Sequence, residues 1–263
     1  MSSPPPDEGT GIAPLSAPPV LYRSSALVAV NKPAGLAVHR GQSRDPVHAL
    51  ELVRDAVGSY VYPAHRLDRA TSGVLVFALS SPAARELGRA FEHGEVEKRY
   101  LALVRGNPPD RLLVDHPLSQ DDGKPAQEAQ TTLETLARYG RYALVEAMPH
   151  TGRTHQIRRH LKHLSCPIIG DVRYGKGDHN RYFRAAFGLH RLALHAIRLT
   201  LTDPASGERV TITAPLPDEL GRTLAAVERA AREGTPLGPE RPGNDLETEP
   251  TARLHPDVRL AFR

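Results

Sequence analysis

The sequence predicts an α+β fold: a mixed, mostly antiparallel sheet with flanking helices. Three observations lead there. Several apolar runs are too short for most buried helices, two pairs of strand-like segments are separated by turn residues, and helical periodicities fall between them without strict alternation. A doubly wound parallel sheet would alternate strand and helix regularly, and neither an internal repeat nor a glycine-rich phosphate loop is present.

At 263 residues the chain can bury a substantial core. Its ends, "MSSPPPDEGTGIAPLSAPP" and "EGTPLGPERPGNDLETEPTARLHPD", have much proline and no apolar periodicity, so 1–19 and 233–263 are expected to be flexible tails around one domain at 20–232. No stretch reaches the roughly 20 apolar residues of a membrane span, and the start lacks a basic region followed by an apolar one. A soluble, cytoplasmic protein is expected. The single cysteine, Cys166, excludes an internal disulfide and suits packing beside Pro167.

"ALVAV", Ala26 to Val30, is closed by Asn31 and Pro33 and reads as a buried strand. "PVHALELVRDAV" reads as a helix with Pro46 at its first position and Val47, Leu50, Val53 and Val57 on one stripe. "GVLVFAL", Gly73 to Leu79, is continuously apolar, as expected of a central strand covered on both faces. The next helix takes Ser81 as N-cap and Pro82 at its first position, and Gly94 ends it. "VEKRYLALV" alternates, with Val96, Lys98, Tyr100, Ala102 and Val104 on one side of a strand whose beginning is polar. "TTLETLAR" and "YALVEAMP" form one predicted hairpin, "LALHAIRLTL" and "RVTITAP" another. Between them "THQIRRHLKHLS" is a helix ended by Pro167. A last helix turns Leu220, Leu224 and Val227 inward.

The net charge of +4 is unevenly spread. Residues 138–198 hold 12 Lys and Arg against 3 Asp and Glu, a local +9 that leaves −5 for the rest, and seven of the thirteen histidines. Such asymmetry fits either a polyanion binder or an arginine-rich solvated surface.

The segment "HRLDRATSG" sets Asp68 between Arg66 and Arg69, in the loop leading into the predicted central strand. An aspartate in cationic surroundings is ionised and can be oriented by an arginine fork, which suits a nucleophile or general base. From the residues alone, a buried Asp–Arg ion pair is the plainer reading. On the helix at 154–165, about 100° per residue gathers Ile157, Leu161 and Leu164 on one stripe. Arg159 and Lys162 fall near the opposite face and are candidates for phosphate contacts. Arg158 lies at the boundary, where its stem can be buried and its guanidinium directed into a cleft. Upstream, "PHTGR" places Gly152 in a tight strand-to-helix connection, so free N–H groups of the helix start can receive an anion. His155 there could contact phosphate or cap the turn. His160 and His163, three residues apart without a nearby third ligand, read as solvated basic surface and not as a metal pair.

"HRLDRATSGVLVFA", "VEKRY" and "TGRTHQIRRHLKHLSCPIIGDVRYG" resemble, in order, three blocks of the RluA-type pseudouridine synthases. "LVAVNKPAGLAVHRG" and "GLHRLALHA" match as well, so the resemblance covers Leu21 to Pro215 and is closest to the TruC branch, which acts on transfer RNA. It implies the pseudouridine synthase fold, with an active-site cleft across the sheet, and isomerisation of a flipped-out uridine. It makes Asp68 the catalytic aspartate, Arg158 its partner, Tyr100 the ring that stacks on the target base and assists proton removal, and Arg66 the residue that fills the space left by the base. Arg69 keeps no role beyond positive charge. The implied reaction is redox-neutral and needs neither metal nor organic cofactor.

The implied partner is RNA: transfer RNA first, ribosomal RNA as the alternative, bound by a monomer. A non-catalytic RNA-binding or RNA-folding module is the reading from another class. The chain leaves no room before its catalytic region for the S4-type domain of some family members, so RNA is expected to be held by the catalytic domain, chiefly 138–198. The segment from Gln120 to Glu134 is short beside some TruC-like proteins, which bears on substrate choice.

Overall fold

The computed structural model describes residues 16–40, 45–119 and 125–239. Most of the two predicted tails, 1–15 and 240–263, and the start of the short segment at Gln120 lie outside the described residues. At the C-terminal boundary the chain stays on the domain through residue 239: Leu237 packs against the core and Arg141 Nη1 donates to Pro239 O at 3.3 Å.

The predicted strand at Ala26 is β2 (Leu27–Lys32). A short strand that the sequence pattern did not reveal, β1 (Val20–Arg23), pairs with it antiparallel at the sheet edge, where half-exposed residues leave no burial pattern. The first helix, α1 (Ala49–Val57), begins after Pro46 and not at it. The Glu51 carboxylate accepts the His48 backbone N–H at 3.3 Å, which sets the start there. In α2 (Ser81–Glu92) the cap is Ser80 instead of Ser81; its Oγ accepts the Ala83 N–H at 3.3 Å.

β4 (Ser72–Ala78) is the central strand expected from its apolar run, buried at every position. Val74, Val76 and Ala78 face the α2 side, and Leu75 and Phe77 the α1 side. On one edge β4 pairs antiparallel with β2 along its length, and on the other its Phe77 and Ala78 pair antiparallel with β3 (Tyr62–Pro63). On that second edge it also meets β9 (Leu194–Thr202) in parallel, through Ser72 with His195 and Gly73 with Ala196. β9 continues the sheet to β5 (Glu97–Arg105), β8 (Tyr142–Pro149), β7 (Gln130–Tyr139) and β6 (Arg111–Asp115), and also pairs with β10 (Arg209–Thr213). Both predicted hairpins, β7–β8 and β9–β10, are antiparallel pairs. The sheet is therefore mixed and mostly antiparallel.

α3 (Gln156–His163) packs on β7 and β8, α5 (Asp218–Arg232) on β7, and α4 (Gly177–Phe187) on α5, burying Leu161, Phe183, Leu224 and Val227. α4 escaped the sequence reading because only His179 and Phe183 of it are buried, too few for a periodic stripe. α3 ends before Pro167: Ser165 takes a left-handed φ of 58° after the Leu164 cap. No helix among the described residues is long and apolar enough to cross a membrane.

The β4–β9 join is narrow and side chains reinforce it. Arg191 Nη2 donates to Ser72 Oγ (2.7 Å) and to Leu194 O (3.1 Å). Burial lowers His195 to about 4, so its ring is neutral. With Nε2–H directed at Ala214 O (3.3 Å), Nδ1 accepts the Ser72 hydroxyl at 2.7 Å. Gly73 has φ +115°, and a Cβ there would stand 2.1 Å from Ala196 O. Gly73→Ala is therefore expected to lower stability by about 3 kcal/mol or more. Gly58→Ala, with φ +74° and nothing within 4 Å of the new Cβ, should cost only about 1–2 kcal/mol. Denaturant midpoints of the two variants compare them directly.

Candidate active site

The loop from His65 to Thr71 enters β4 from one end and is held at several points. Burial pushes His65 down to about 3, so its Nε2 can accept the Val76 N–H at 3.2 Å while the ring stacks on Phe91. The Thr71 N–H closes a turn on Asp68 O at 3.0 Å. Arg69 O accepts the Gly35 N–H at 2.8 Å and the Lys32 ammonium at 3.3 Å. Lys32 is fully buried and also donates to Pro33 O (2.9 Å) and Leu36 O (2.7 Å), so its three protons meet three carbonyls. Burial, followed by the Arg191 charge, lowers its pKa to about 7, against the pull of Asp68. The backbone on either side of Asp68 is thus fixed before any substrate arrives.

α3 approaches from the opposite side. Its start is anchored by Gln156, whose Oε1 accepts from Thr151 Oγ1 (2.6 Å) and the Arg153 N–H (2.9 Å) while Nε2 donates to Gln130 O (2.9 Å) and Thr131 Oγ1 (3.0 Å). The left-handed residue of this connection is His155, φ 54°, and not Gly152. One turn on, Arg158 has a side chain 8 % exposed and divides its fork between two carboxylates. Nε and Nη2 donate to Asp171 Oδ2 (2.8 Å) and Oδ1 (2.9 Å), and Nη1 donates to Asp68 Oδ2 (3.1 Å). Burial opposes the guanidinium charge, but Asp171 and Asp68 outweigh it and raise the pKa. Burial likewise works against Asp171, and the Arg158 bonds with the Tyr174 and Arg173 N–H groups hold its carboxyl below the usual range.

Asp68 keeps 27 % side-chain exposure, whereas Asp171 has none. One carboxylate is consumed by the fork and the other is presented. His155 Nε2 lies 3.8 Å from Asp68 Oδ2, and its Nδ1 lies 3.1 Å from the Tyr174 hydroxyl. Burial lowers His155, with Arg158 and Arg173 adding to the effect and Asp68 opposing it, so the ring beside Asp68 is neutral at neutral pH. Tyr100 reaches the same place from β5: Ala196 pairs with Gly73 on one side and with Tyr100 on the other, at a bulge between Arg99 and Tyr100. Burial and then the Asp68 charge raise the Tyr100 phenol well above its ordinary value, so it stays protonated.

Asp68, Tyr100 and the α3 pair Arg158 and His155 therefore converge from three separated segments. The remaining candidates lie elsewhere. Arg66 is exposed on the Asp68 loop. Arg69 forks onto Asp45 at 2.7 and 3.0 Å, which gives a partner to a residue whose sequence offered charge alone. Arg159 Nη1 donates to Ser119 O at 2.8 Å, and Lys162 is exposed on the outer face of α3. His160 is not solvated: it is fully buried between Thr131 Oγ1 (2.9 Å) and His116 O (3.0 Å), because the α3 stripe that buries Leu161 also turns His160 toward β7. His163 is exposed and stacks on His116 at 3.8 Å. Sequence reasoning missed Asp171, Lys32 and Tyr174. Asp171 had a signal of its own, being one of three acidic residues in a region of twelve cations.

The family model for RNA pseudouridylate synthase matches residues 26–163, just over half of the chain. The chain is 44% identical over 219 residues to tRNA pseudouridine synthase C of Pasteurella multocida, covering 74% of this chain and 90% of that one. The protein of the same name from Vibrio cholerae is 42% identical over 228 residues, covering 78% and 93%. Among solved structures, human RNA pseudouridylate synthase domain containing 4 superposes with TM-score 0.67 at 30% identity, covering 79% of this chain and 92% of that one. Human RNA pseudouridylate synthase domain containing 1 follows with TM-score 0.61 at 29% identity, covering 75% and 83%. On the strength of this sequence match, its extent and the shared fold, the chain belongs to the RNA pseudouridylate synthase family.

Proposed function

We propose that this protein isomerises a uridine of transfer RNA to pseudouridine, with Asp68 as the catalytic residue. The observation that carries the reading is the unequal sharing of Arg158: one carboxylate is locked and buried, the other is held by a single N–H at an open edge. The names of the bacterial relatives support transfer RNA over ribosomal RNA as the substrate. A monomer working in the cytoplasm completes the proposal.

Uridine and pseudouridine contain the same atoms. The N1–C1′ bond breaks, a C5–C1′ bond forms, C5 loses a proton and N1 gains one. Asp68 supplies the carboxylate that engages the extruded nucleotide while the uracil turns. Arg158 orients that carboxylate through one N–H and leaves its other lone pairs for chemistry. Tyr100 offers a ring on which the base stacks. Because its phenol remains protonated, it acts as a wall and hydrogen-bond donor, and removal of the C5 proton falls to the released Asp68 carboxylate. Arg66 is exposed on the same loop and fills the gap in the RNA with a planar cation. His155, neutral and aimed at Asp68, completes the carboxylate's surroundings in place of a phosphate contact. Lys162, with whatever cationic surface Arg159 retains beside Ser119, attracts the phosphates.

Asp68→Ala should reduce pseudouridine formation at least about 1,000-fold while leaving RNA affinity within a few-fold. Tritium release from uridine-labelled bulk transfer RNA measures the first and filter binding the second; retained turnover removes Asp68 from the chemistry. A pure RNA-binding module would release no tritium even as wild type. Asp171→Asn removes the charge that steadies the Arg158 fork, and the resulting misplacement of Asp68 should lower kcat by about 100-fold, with a much smaller change in RNA affinity. Finally, affinity should fall steeply as salt is raised from 50 to 200 mM, and a flat response would argue against phosphate contacts as the main source of binding.

A further inference from the structure

We propose that Val172 is an apolar wedge that packs against an RNA base flanking the target uridine. This rests on the reading of the protein as an RNA pseudouridine synthase.

Val172 is 89 % exposed. Single exposed apolar residues are ordinary, and Val20, Tyr60 and Leu113 are exposed to 57, 63 and 52 %. Val20 and Leu113 sit on the two outer strands of the sheet and Tyr60 lies edge-on to Tyr62. Val172 differs from them in two respects. The first is rigidity. Asp171 Oδ1 accepts the Arg173 and Tyr174 N–H groups, each at 3.0 Å. Asp171 O accepts from the Gly175 N–H and Asn180 Nδ2, again each at 3.0 Å. The turn closes so tightly that a Cβ on Gly175 would stand 2.2 Å from Asp171 O. A side chain held outward by such a turn is presented and not loosely placed.

The second is position. The residue before Val172 is Asp171, whose carboxylate holds Arg158, and Arg158 holds Asp68. The residues after it, Arg173 and Tyr174, place a guanidinium carbon 5.5 Å from the centre of the Tyr174 ring, which Arg158 also approaches at 5.1 Å. Exposed Arg173 and Lys176 give the turn a cationic rim suited to a polyanion. A methyl-bearing tip one residue from the Asp171–Arg158–Asp68 chain of contacts is placed to meet a neighbour of the nucleotide that Asp68 receives. Extruding a base leaves its neighbours unstacked, and apolar side chains placed against such steps replace the lost contact.

Val172→Ser should lower kcat/KM on transfer RNA about tenfold, the size expected for losing one valine's apolar contact, mainly through KM. Val172→Leu should stay within about twofold. Thermal midpoints of both should match the wild type, because an exposed side chain contributes little to folding. Cys166 is the chain's single cysteine and is buried. Val172→Cys therefore carries one accessible thiol for a photo-crosslinker, and the crosslinked nucleotide should fall within two positions of the pseudouridine mapped on the same RNA. Wild-type kinetics for Val172→Ser, or a crosslink far from that uridine, overturns the wedge while leaving the isomerase reading intact. Absence of pseudouridine with the wild type would overturn that reading and the wedge with it.

Discussion

One guanidinium between two carboxylates organises the site. Arg158 is buried, and a buried charge left without partners would cost on the order of several kcal/mol. Its fork faces Asp171 with two N–H groups and Asp68 with one. Asp171 has no side-chain exposure and receives two backbone N–H bonds as well. Asp68 receives a single charged bond and keeps solvent access. The same cation thus locks one carboxylate and leaves the other accessible, an asymmetry that burial imposes on two residues of the same type.

The sheet exists around this constraint at its narrowest point. The parallel contact of β4 and β9 is two residue pairs long, yet it brings the Asp68 loop beside Tyr100 because Ala196 has Gly73 on one flank and Tyr100 on the other. Gly73 permits the close approach, and Ser72, His195 and Arg191 secure it with hydrogen bonds that need a neutral imidazole. Lys32 fastens the remaining side, tying the strand-end loop after β2 to the carbonyl that follows Asp68. Polar groups buried in this way specify geometry as much as they stabilise it.

Charge along the chain and charge available to a polyanion are different quantities. The +9 of residues 138–198 includes Arg158, spent on two carboxylates, and Arg138, bonded to Asp110 and to Pro108 O. Arg69 is neutralised by Asp45 outside that region. Internal pairs reduce the cationic surface to fewer groups, with Lys162 and Arg66 among the exposed cations.

By itself the sequence determined the class of fold, the central strand, the two hairpins, the last helix and the motif blocks, because each is written in local periodicity or turn chemistry. It separated Arg158 from Arg159 through helical spacing alone. It did not reveal α4, β1, β3 or β6, whose residues carry too little burial to leave a pattern, and it misplaced the starts of α1 and α2, since Pro46 and Ser81 were as acceptable locally as the true boundaries. Tertiary structure alone decided who partners whom. Asp171 and Asp68 are both aspartates near arginines, and His160 and His163 share one helix face in the sequence. Burial at 0 % makes His160 a bridge from α3 to His116 and Thr131, and the unequal desolvation of the two aspartates assigns one to structure and exposes the other. Desolvation depends on what the rest of the chain covers, and that is a property of the folded whole.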